Sequence, residues 1–173
     1  GEGLEPKLIK GPDIFCDVVE KLAEKYPLHI LLTGPARGYV KNRLKKAGIS
    51  YTHTFLKNYT DIARYYQVID LYLITSREEG GPKALLESLA SGVPLVSTRV
   101  GMAPEIIENE KNGFIADIED TDSIFEKSEI LIKDQSLRSE IIRNGLETIQ
   151  RYSLKNTARE MNDKLYEPLL NRL

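Results

Sequence analysis

The sequence is poor in cysteine and tryptophan, and it has no long apolar run. Cys16 is the one cysteine among 173 residues, and tryptophan is absent. A single thiol excludes a disulfide framework and is typical of proteins from reducing compartments. No apolar run approaches the roughly 20 residues that a membrane-spanning helix needs, and Gly1–Lys10 carries no signal-peptide pattern. Together these absences predict a cytoplasmic location.

The sequence also has little net charge. It contains 24 Lys and Arg against 26 Asp and Glu, which gives a formal net charge of −2. Proteins that bind nucleic acid through its phosphates usually carry a basic patch or a basic balance, so we expect no nucleic-acid partner. Hydrophobic residues make up 41% of the chain, as in ordinary globular proteins. The length predicts one domain over residues 1–173.

Short apolar runs alternate with helical patterns over the first two-thirds of the chain. The runs are rich in Leu, Ile and Val and are bounded by Gly, Pro or Ser, as strands buried on both faces of a parallel sheet are. They lie at Leu28–Thr33, Leu71–Thr75, Pro94–Thr98 and Phe114–Ala116, with a weaker candidate at Tyr51–Phe55. This alternation predicts an α/β fold, a Rossmann-like doubly wound parallel sheet flanked by helices.

The two ends of the chain depart from that alternation. Near the N-terminus only Pro6–Ile9 could serve as a first strand, so we expect a chain that begins after, or without, its first strand. The C-terminal third is predicted to be helical, with successive helices at Ser123–Lys133, Leu137–Arg151 and Leu154–Leu170. The last of these carries an apolar stripe at helical spacing, formed by Leu154, Ala158, Met161, Leu165 and Leu169.

A glycine turn follows the central apolar run and precedes a helical pattern. Glu79 lies just beyond the expected carboxyl end of that strand, where ligands of open α/β sheets bind. Gly80 and Gly81 permit a tight turn and a close backbone approach, and Pro82 fits the first helical position. The free amides at this helix start favour phosphate, and Lys83 adds a positive charge beside them.

A second glutamate lies along the same predicted helix. Glu87 and Lys83 share one helix face, one turn apart. A carboxylate there could accept hydrogen bonds from two sugar hydroxyls, as the acidic residue of dinucleotide-binding folds does. The alternative is structural: Glu79 would be an acid favoured by the helix dipole, and Lys83–Glu87 an exposed pair worth ~0.3 kcal/mol. Spacing alone leaves both interpretations open.

The segment Glu79–Thr98 closely resembles the retaining family 4 glycosyltransferases of the GT-B fold. Their mark is two glutamates separated by seven residues, followed by a small-residue helix, Gly-x-Pro and a strand that ends in Thr. Glu79 and Glu87 stand at those two positions. The resemblance covers about residues 7–170, through the further motifs Lys10-Gly11, Leu31–Gly34, Gly101–Ile107 and Asn112–Ile115.

The resemblance implies a role for each matching residue. Glu79 would lie beside the donor sugar and its anomeric carbon, and Glu87 would hold the donor ribose. Lys10 would neutralise the diphosphate leaving group without a metal ion, so no cofactor is expected. The other implied donor-binding residues are Gly80, Gly81, Pro82 and Lys83 in the turn, with Gly34 and Arg37 in an upstream loop.

The activity implied by the resemblance is retaining glycosyl transfer from a nucleoside diphosphate sugar, with UDP-sugar or GDP-sugar as donor. The chain would be the C-terminal donor-binding half, with little or no transfer activity alone. Its implied partner is an N-terminal acceptor-binding domain, through which a peripheral membrane contact is possible. Two alternatives stay open: a non-catalytic Rossmann-like nucleotide-binding or interaction domain, and a GT-B-like sugar epimerase.

Two features of the sequence leave parts of the site undefined. The family has a bulky residue where Gly81 stands and a glycine where Pro82 stands, so the donor sugar is not predicted. A tyrosine could stack on the nucleobase, but the sequence does not select one among Tyr51, Tyr59, Tyr65, Tyr66 and Tyr72. Asp120-Thr121-Asp122 resembles a metal motif of other glycosyltransferases, but its position predicts a cap for the following helix.

Overall fold

Five short parallel strands alternate with helices in the computed structural model, which describes residues 6–81 and 83–170. The strands are β1 (His29–Thr33), β2 (Ser50–Thr54), β3 (Tyr72–Ile74), β4 (Leu95–Thr98) and β5 (Phe114–Ala116). The helices among them are α1 (Pro12–Ala23), α2 (Gly38–Lys46), α3 (Ile62–Tyr66), α4 (Lys83–Ala90) and α5 (Ala103–Ile106). The C-terminal helices are α6 (Thr121–Lys133), α7 (Gln135–Ile149), α8 (Leu154–Met161) and α9 (Glu167–Leu170). The predicted α/β class is confirmed.

The strands form two parallel sheets. Hydrogen bonds join β1 to β2 in one sheet, and β3, β4 and β5 in the other, with β4 in the centre. No ladder joins the two sheets within the described part of the chain, where the sequence pattern had suggested one sheet. Leu28 and Leu73 pack against the apolar clusters of both sheets, so the interior is continuous between them.

Helices cover both faces of the three-stranded sheet. Val96, Phe114 and Ala116 point to one face, where they pack against α1, α6 and α7. Leu95 and Ile115 point to the other face, against α4 and α5. Successive residues of a strand face opposite sides, so burial on both sides explains why these strands are apolar throughout.

Local turns and caps set several boundaries between the elements. Asp120 accepts a hydrogen bond from the Ser123 amide at 2.9 Å, so it caps α6 as predicted. Pro6–Ile9, which was the one candidate for a first strand, forms none, because Leu8–Lys10 coils into one 3-10 turn. The short helix α5, opened by Pro104 in its first turn, was not predicted, since four residues are too few to show a helical period.

The C-terminal segment is helical from Leu154 to Leu170, with a wider π turn at Asn162–Tyr166 between α8 and α9. Its predicted apolar stripe is exposed to solvent: Leu154 is 90% accessible and Leu165 is 49% accessible. In the part of the chain that the structure describes, every helix is too short or too polar to cross a bilayer.

Candidate functional site

A cleft of about 650 Å³ lies at the carboxyl end of the three-stranded sheet. We call it the sheet-end cleft. Its walls come from the turn before α1, the loop after β3 and the loop after β4. The residues that line these walls include Lys10, Arg77, Glu79, Gly80, Arg99 and Gly101. With Glu78, which also lines the cleft, three cations and two carboxylates surround one opening, at the edge where open α/β sheets bind their ligands.

The turn before α1 is locked onto the end of β3. Gly11 has φ +59°, and a Cβ built on it would lie 1.8 Å from the carbonyl oxygen of Thr75. The Thr75 hydroxyl donates a hydrogen bond to the Gly11 carbonyl at 2.9 Å. Only glycine fits a left-handed conformation at such a close backbone approach. This contact brings the preceding residue, Lys10, to the mouth of the cleft.

Lys10 and Glu79 form an ion pair in the cleft. The Lys10 Nζ donates to Glu79 Oε1 at 2.6 Å, and the Ser76 hydroxyl donates to the same oxygen at 3.0 Å. The Lys10 side chain is half exposed, whereas 19% of the Glu79 side chain is accessible. A charged donor and a hydroxyl thus fix the carboxylate, while the ammonium keeps access to solvent and to an anion.

Arg77 fastens the segment that carries Lys10. Its backbone amide donates to the Ile9 carbonyl at 2.9 Å, and its guanidinium donates to the Leu8 carbonyl at 2.6 Å. The guanidinium also makes a forked pair with Asp13 and reaches Glu119. The Arg77 hydrogen bond is the main cause of the lowered pKa of Asp13. Sequence alone could not assign this role to Arg77, since its partners Leu8, Asp13 and Glu119 lie far along the chain.

The loop after β4 packs closely against the backbone of the glycine turn. A Cβ on Gly101 would lie 2.4 Å from the Glu79 carbonyl oxygen and 2.3 Å from that of Gly80, so this position also needs a glycine. Nothing lies within 4 Å of a Cβ built on Gly80, which leaves its backbone open to the cleft. A Cβ built on Gly81 would lie 3.1 Å from the Met102 sulfur. Pro82 lies outside the described residues.

Glu87 accepts hydrogen bonds from two tyrosines. Tyr59 donates a hydrogen bond to Glu87 Oε1, and Tyr66 donates to Oε2 at 3.1 Å. The Lys83 Nζ lies 5.9 Å from the centre of the Tyr59 ring, within reach of a cation–π contact. Two of the five tyrosines thus contact Glu87, which sequence could not show because α3 and the turn before it meet α4 only in the fold. Which tyrosine stacks on a nucleobase stays open.

Gly34 and Arg37 lie at the carboxyl end of β1. The exposed Arg37 donates through Nε to the Thr33 carbonyl at 2.9 Å, and His53 donates through Nε2 to the Gly34 carbonyl at 2.8 Å. Burial is the main cause of the raised pKa of Tyr72, and a hydrogen bond with Tyr66 opposes it.

The predicted site residues thus occupy three neighbouring places. Lys10, Glu79 and Gly80 line the sheet-end cleft. Glu87 and Lys83, both on α4, contact Tyr59, and Gly34 with Arg37 follows the end of β1. Among the described residues, no hydrogen bond or ion pair connects the Lys10–Glu79 pair to Glu87 or to Arg37. The individual roles of these residues stay predictions.

Comparison with known proteins gives one consistent family. Residues 4–148 match the family model of the glycosyl transferases group 1. A curated relative, the lipopolysaccharide core biosynthesis mannosyltransferase LpsB of Rhizobium meliloti (strain 1021), is 28% identical over 93% of the chain and 49% of its own length. The chain spans half or less of the curated relatives that it matches.

Solved structures agree with this match. The C-terminal domain of a glycosyl transferase group 1 family protein (LpcC) from Francisella tularensis superposes with a TM-score of 0.76, at 25% identity, over 86% of this chain and 83% of that one. Anabaena Alr3699/HepE, solved in complex with UDP-glucose, gives a TM-score of 0.79 at 22% identity, over 94% of this chain and 47% of that one. The fold is therefore that of a GT-B C-terminal, Rossmann-like domain.

Proposed function

Since the chain belongs to the glycosyl transferases group 1 family, we propose that residues 1–173 form the donor-binding domain of a retaining glycosyltransferase. The domain would bind a UDP-sugar or GDP-sugar whose glycosyl group passes to an acceptor with net retention. The observation that carries this proposal is the Lys10–Glu79 pair in the sheet-end cleft. That cleft combines a cation for a leaving diphosphate with a carboxylate for the sugar.

Lys10 would act on the leaving group. Charge that develops on a departing diphosphate must be met by preorganised donors or cations. Lys10 is held in place by the turn at Gly11 and keeps half of its side chain accessible. A diphosphate beside it would share the ammonium with Glu79, without need of a metal ion.

Glu79 and the open turn would receive the sugar. The Glu79 carboxylate is fixed by Lys10 and Ser76, so it can be held beside the anomeric carbon. The backbone of Gly80 is free of neighbouring atoms on its missing Cβ side, which allows the amides of Gly80 and Gly81 to approach sugar or phosphate. Pro82 is included in the proposed site only because it stands in the sequence motif.

The nucleoside would lie toward α4 and β1. Glu87 would accept the ribose hydroxyls, and Lys83 would stay close to the diphosphate from the start of α4. Gly34 and Arg37 would close the site from the end of β1, where the exposed guanidinium can reach an anion.

The proposed partner is an acceptor-binding domain N-terminal to this one. The curated relatives are about twice as long as the chain or longer, and α8–α9 leaves apolar side chains exposed, such as Leu154 and Leu165. Both observations support a further domain packed beside this one. We place the protein in the cytoplasm, with any peripheral membrane contact made through that domain.

The Lys10–Glu79 pair also bears on the alternatives. A non-catalytic binding scaffold needs no acid at the sugar position, and an epimerase is less well matched by the motifs around Gly101 and Asn112. The proposed transfer needs both the acid and the cation that the cleft contains.

The test is calorimetry of the purified chain with UDP, GDP and their sugars. We expect one of the two nucleotide series to bind, and Glu87→Ala to weaken binding by about tenfold or more, because two hydrogen bonds to a charged group are lost. Glu140→Gln removes an exposed carboxylate of α7 and is the control. A folded chain that binds none of these ligands at millimolar concentration would contradict the proposal.

A further inference from the structure

The Glu87 carboxylate already accepts two hydrogen bonds from side chains of this chain. Tyr59 donates to one carboxylate oxygen, and Tyr66 donates to the other at 3.1 Å. An ionised carboxylate offers about four acceptor positions, two on each oxygen. Each oxygen of Glu87 therefore keeps one position for a further donor.

The two tyrosines are held to different degrees. Tyr66 is 4% accessible, its ring packs on Tyr72 with centroids 5.4 Å apart, and its hydroxyl also lies 3.4 Å from the Ala84 carbonyl. Burial raises the pKa of Tyr66 well above its usual range, so its hydroxyl stays a donor. Tyr59 is 63% accessible and sits on a single 3-10 turn. The core thus fixes one carboxylate oxygen, and a surface residue fixes the other.

We propose that Tyr66 and Tyr59 are positioning residues that orient the Glu87 carboxylate to receive a vicinal diol, with Tyr66 as the stronger of the two. The proposal rests on the proposed function, in which the diol belongs to the ribose of a nucleoside diphosphate. Each free acceptor position takes one of the two adjacent hydroxyls. Without the Tyr66 hydroxyl, the carboxylate rotates and loses the alignment that recognises both hydroxyls at once.

Ribose discrimination measures this role apart from fold stability. The purified chain is titrated with UDP, GDP and their 2′-deoxy counterparts, and the ratio of the two dissociation constants is the readout. We expect the parent chain to prefer the ribonucleotide by about tenfold, from one hydrogen bond to a charged acceptor. Tyr66→Phe keeps the ring and removes the hydroxyl, and it should lower that ratio by about threefold or more. Tyr59→Phe should lower it less.

Matched controls come from the same helices. Tyr65 is the neighbouring tyrosine of α3, its hydroxyl lies 3.4 Å from Thr54 Oγ1, and Tyr65→Phe should leave the ratio unchanged. Glu87→Gln should abolish the preference. If nucleotides bind with a preference that depends on Glu87, but Tyr66→Phe keeps the parent ratio, the positioning role is overturned and the proposed function stands. If no nucleotide binds the folded chain, both fail.

Discussion

The carboxyl ends of the two sheets are built differently. Strands β4 and β5 are buried at every position, and the loops around them are locked by backbone contacts at Gly11 and Gly101. Strand β2 is exposed or half-buried at every position, and Arg37 after the end of β1 is exposed. One end holds its charged groups through several contacts, and the other presents an exposed arginine with a hydrogen bond to the Thr33 carbonyl.

This difference fits a division of work within the proposed site. Groups that stabilise a transition state must be held within a fraction of an ångström, so they need rigid elements and supporting hydrogen bonds. Lys10 and Glu79 have such support from Arg77, Ser76 and Thr75. A side chain such as Arg37 suits recognition that tolerates variation. Three variants test the contrast between the two ends, and the first has the largest expected effect.

Gly11→Ala should destabilise the fold strongly. The added Cβ would overlap the Thr75 carbonyl oxygen in a left-handed turn, which should cost about 3 kcal/mol or more and lower the melting temperature by roughly 6 °C or more. Thermal unfolding followed by circular dichroism measures it. Gly48→Ala, in the same left-handed conformation but in open space at the two-stranded sheet, should cost only about 1 kcal/mol. Equal shifts would remove the contrast.

Lys10→Met should weaken nucleotide binding more than Arg37→Met does. Losing the fixed ammonium should reduce the affinity for the better of UDP and GDP by about tenfold, and losing the exposed guanidinium should reduce it by about threefold or less. Calorimetry with the nucleotide and with its nucleoside, which has no diphosphate, separates the two effects. A similar loss in both variants would show that the two ends hold the phosphates equally.

Asp13→Asn should have a small effect that depends on pH. Hydrogen bonds from Arg77 hold the pKa of Asp13 below its ordinary value of 3.8. The ion pair therefore stabilises the fold above that pH, and its contribution is lost as the pH falls below it. We expect the variant to be less stable by about 1 kcal/mol at pH 7, and the difference to shrink as the pH falls below 3.8. Urea unfolding across this pH range checks this; a constant difference would contradict it.

The sequence predicted the elements of the fold better than their exposure. Burial on both faces of β4 and β5 makes their residues apolar throughout, so their strands were found from composition and bounds alone. The stripe on α8–α9 was equally clear, yet its side chains are exposed. Periodicity reports which face is apolar, and it cannot report whether anything covers that face.

The sequence likewise indicated only some of the residues at the candidate site. The family resemblance assigned Glu79, Glu87 and Lys10 to one donor site because each stands in a recognisable local pattern, and their roles stay predictions. Arg77, Tyr59 and Tyr66 were not assigned, because their roles come from partners on other elements. The turn at Gly101 was matched as a motif, but its close approach to the Glu79 backbone is a property of the folded chain.

By itself, the sequence determined the order of strands and helices, the glycine turn before α4 and the two glutamates of the motif, because hydrophobic period and turn chemistry are local. The tertiary structure alone decided that Lys10 meets Glu79, 69 residues away, and that two tyrosines hold Glu87. Such pairings depend on how distant loops converge at the end of a sheet, and no local preference of the chain encodes that distance.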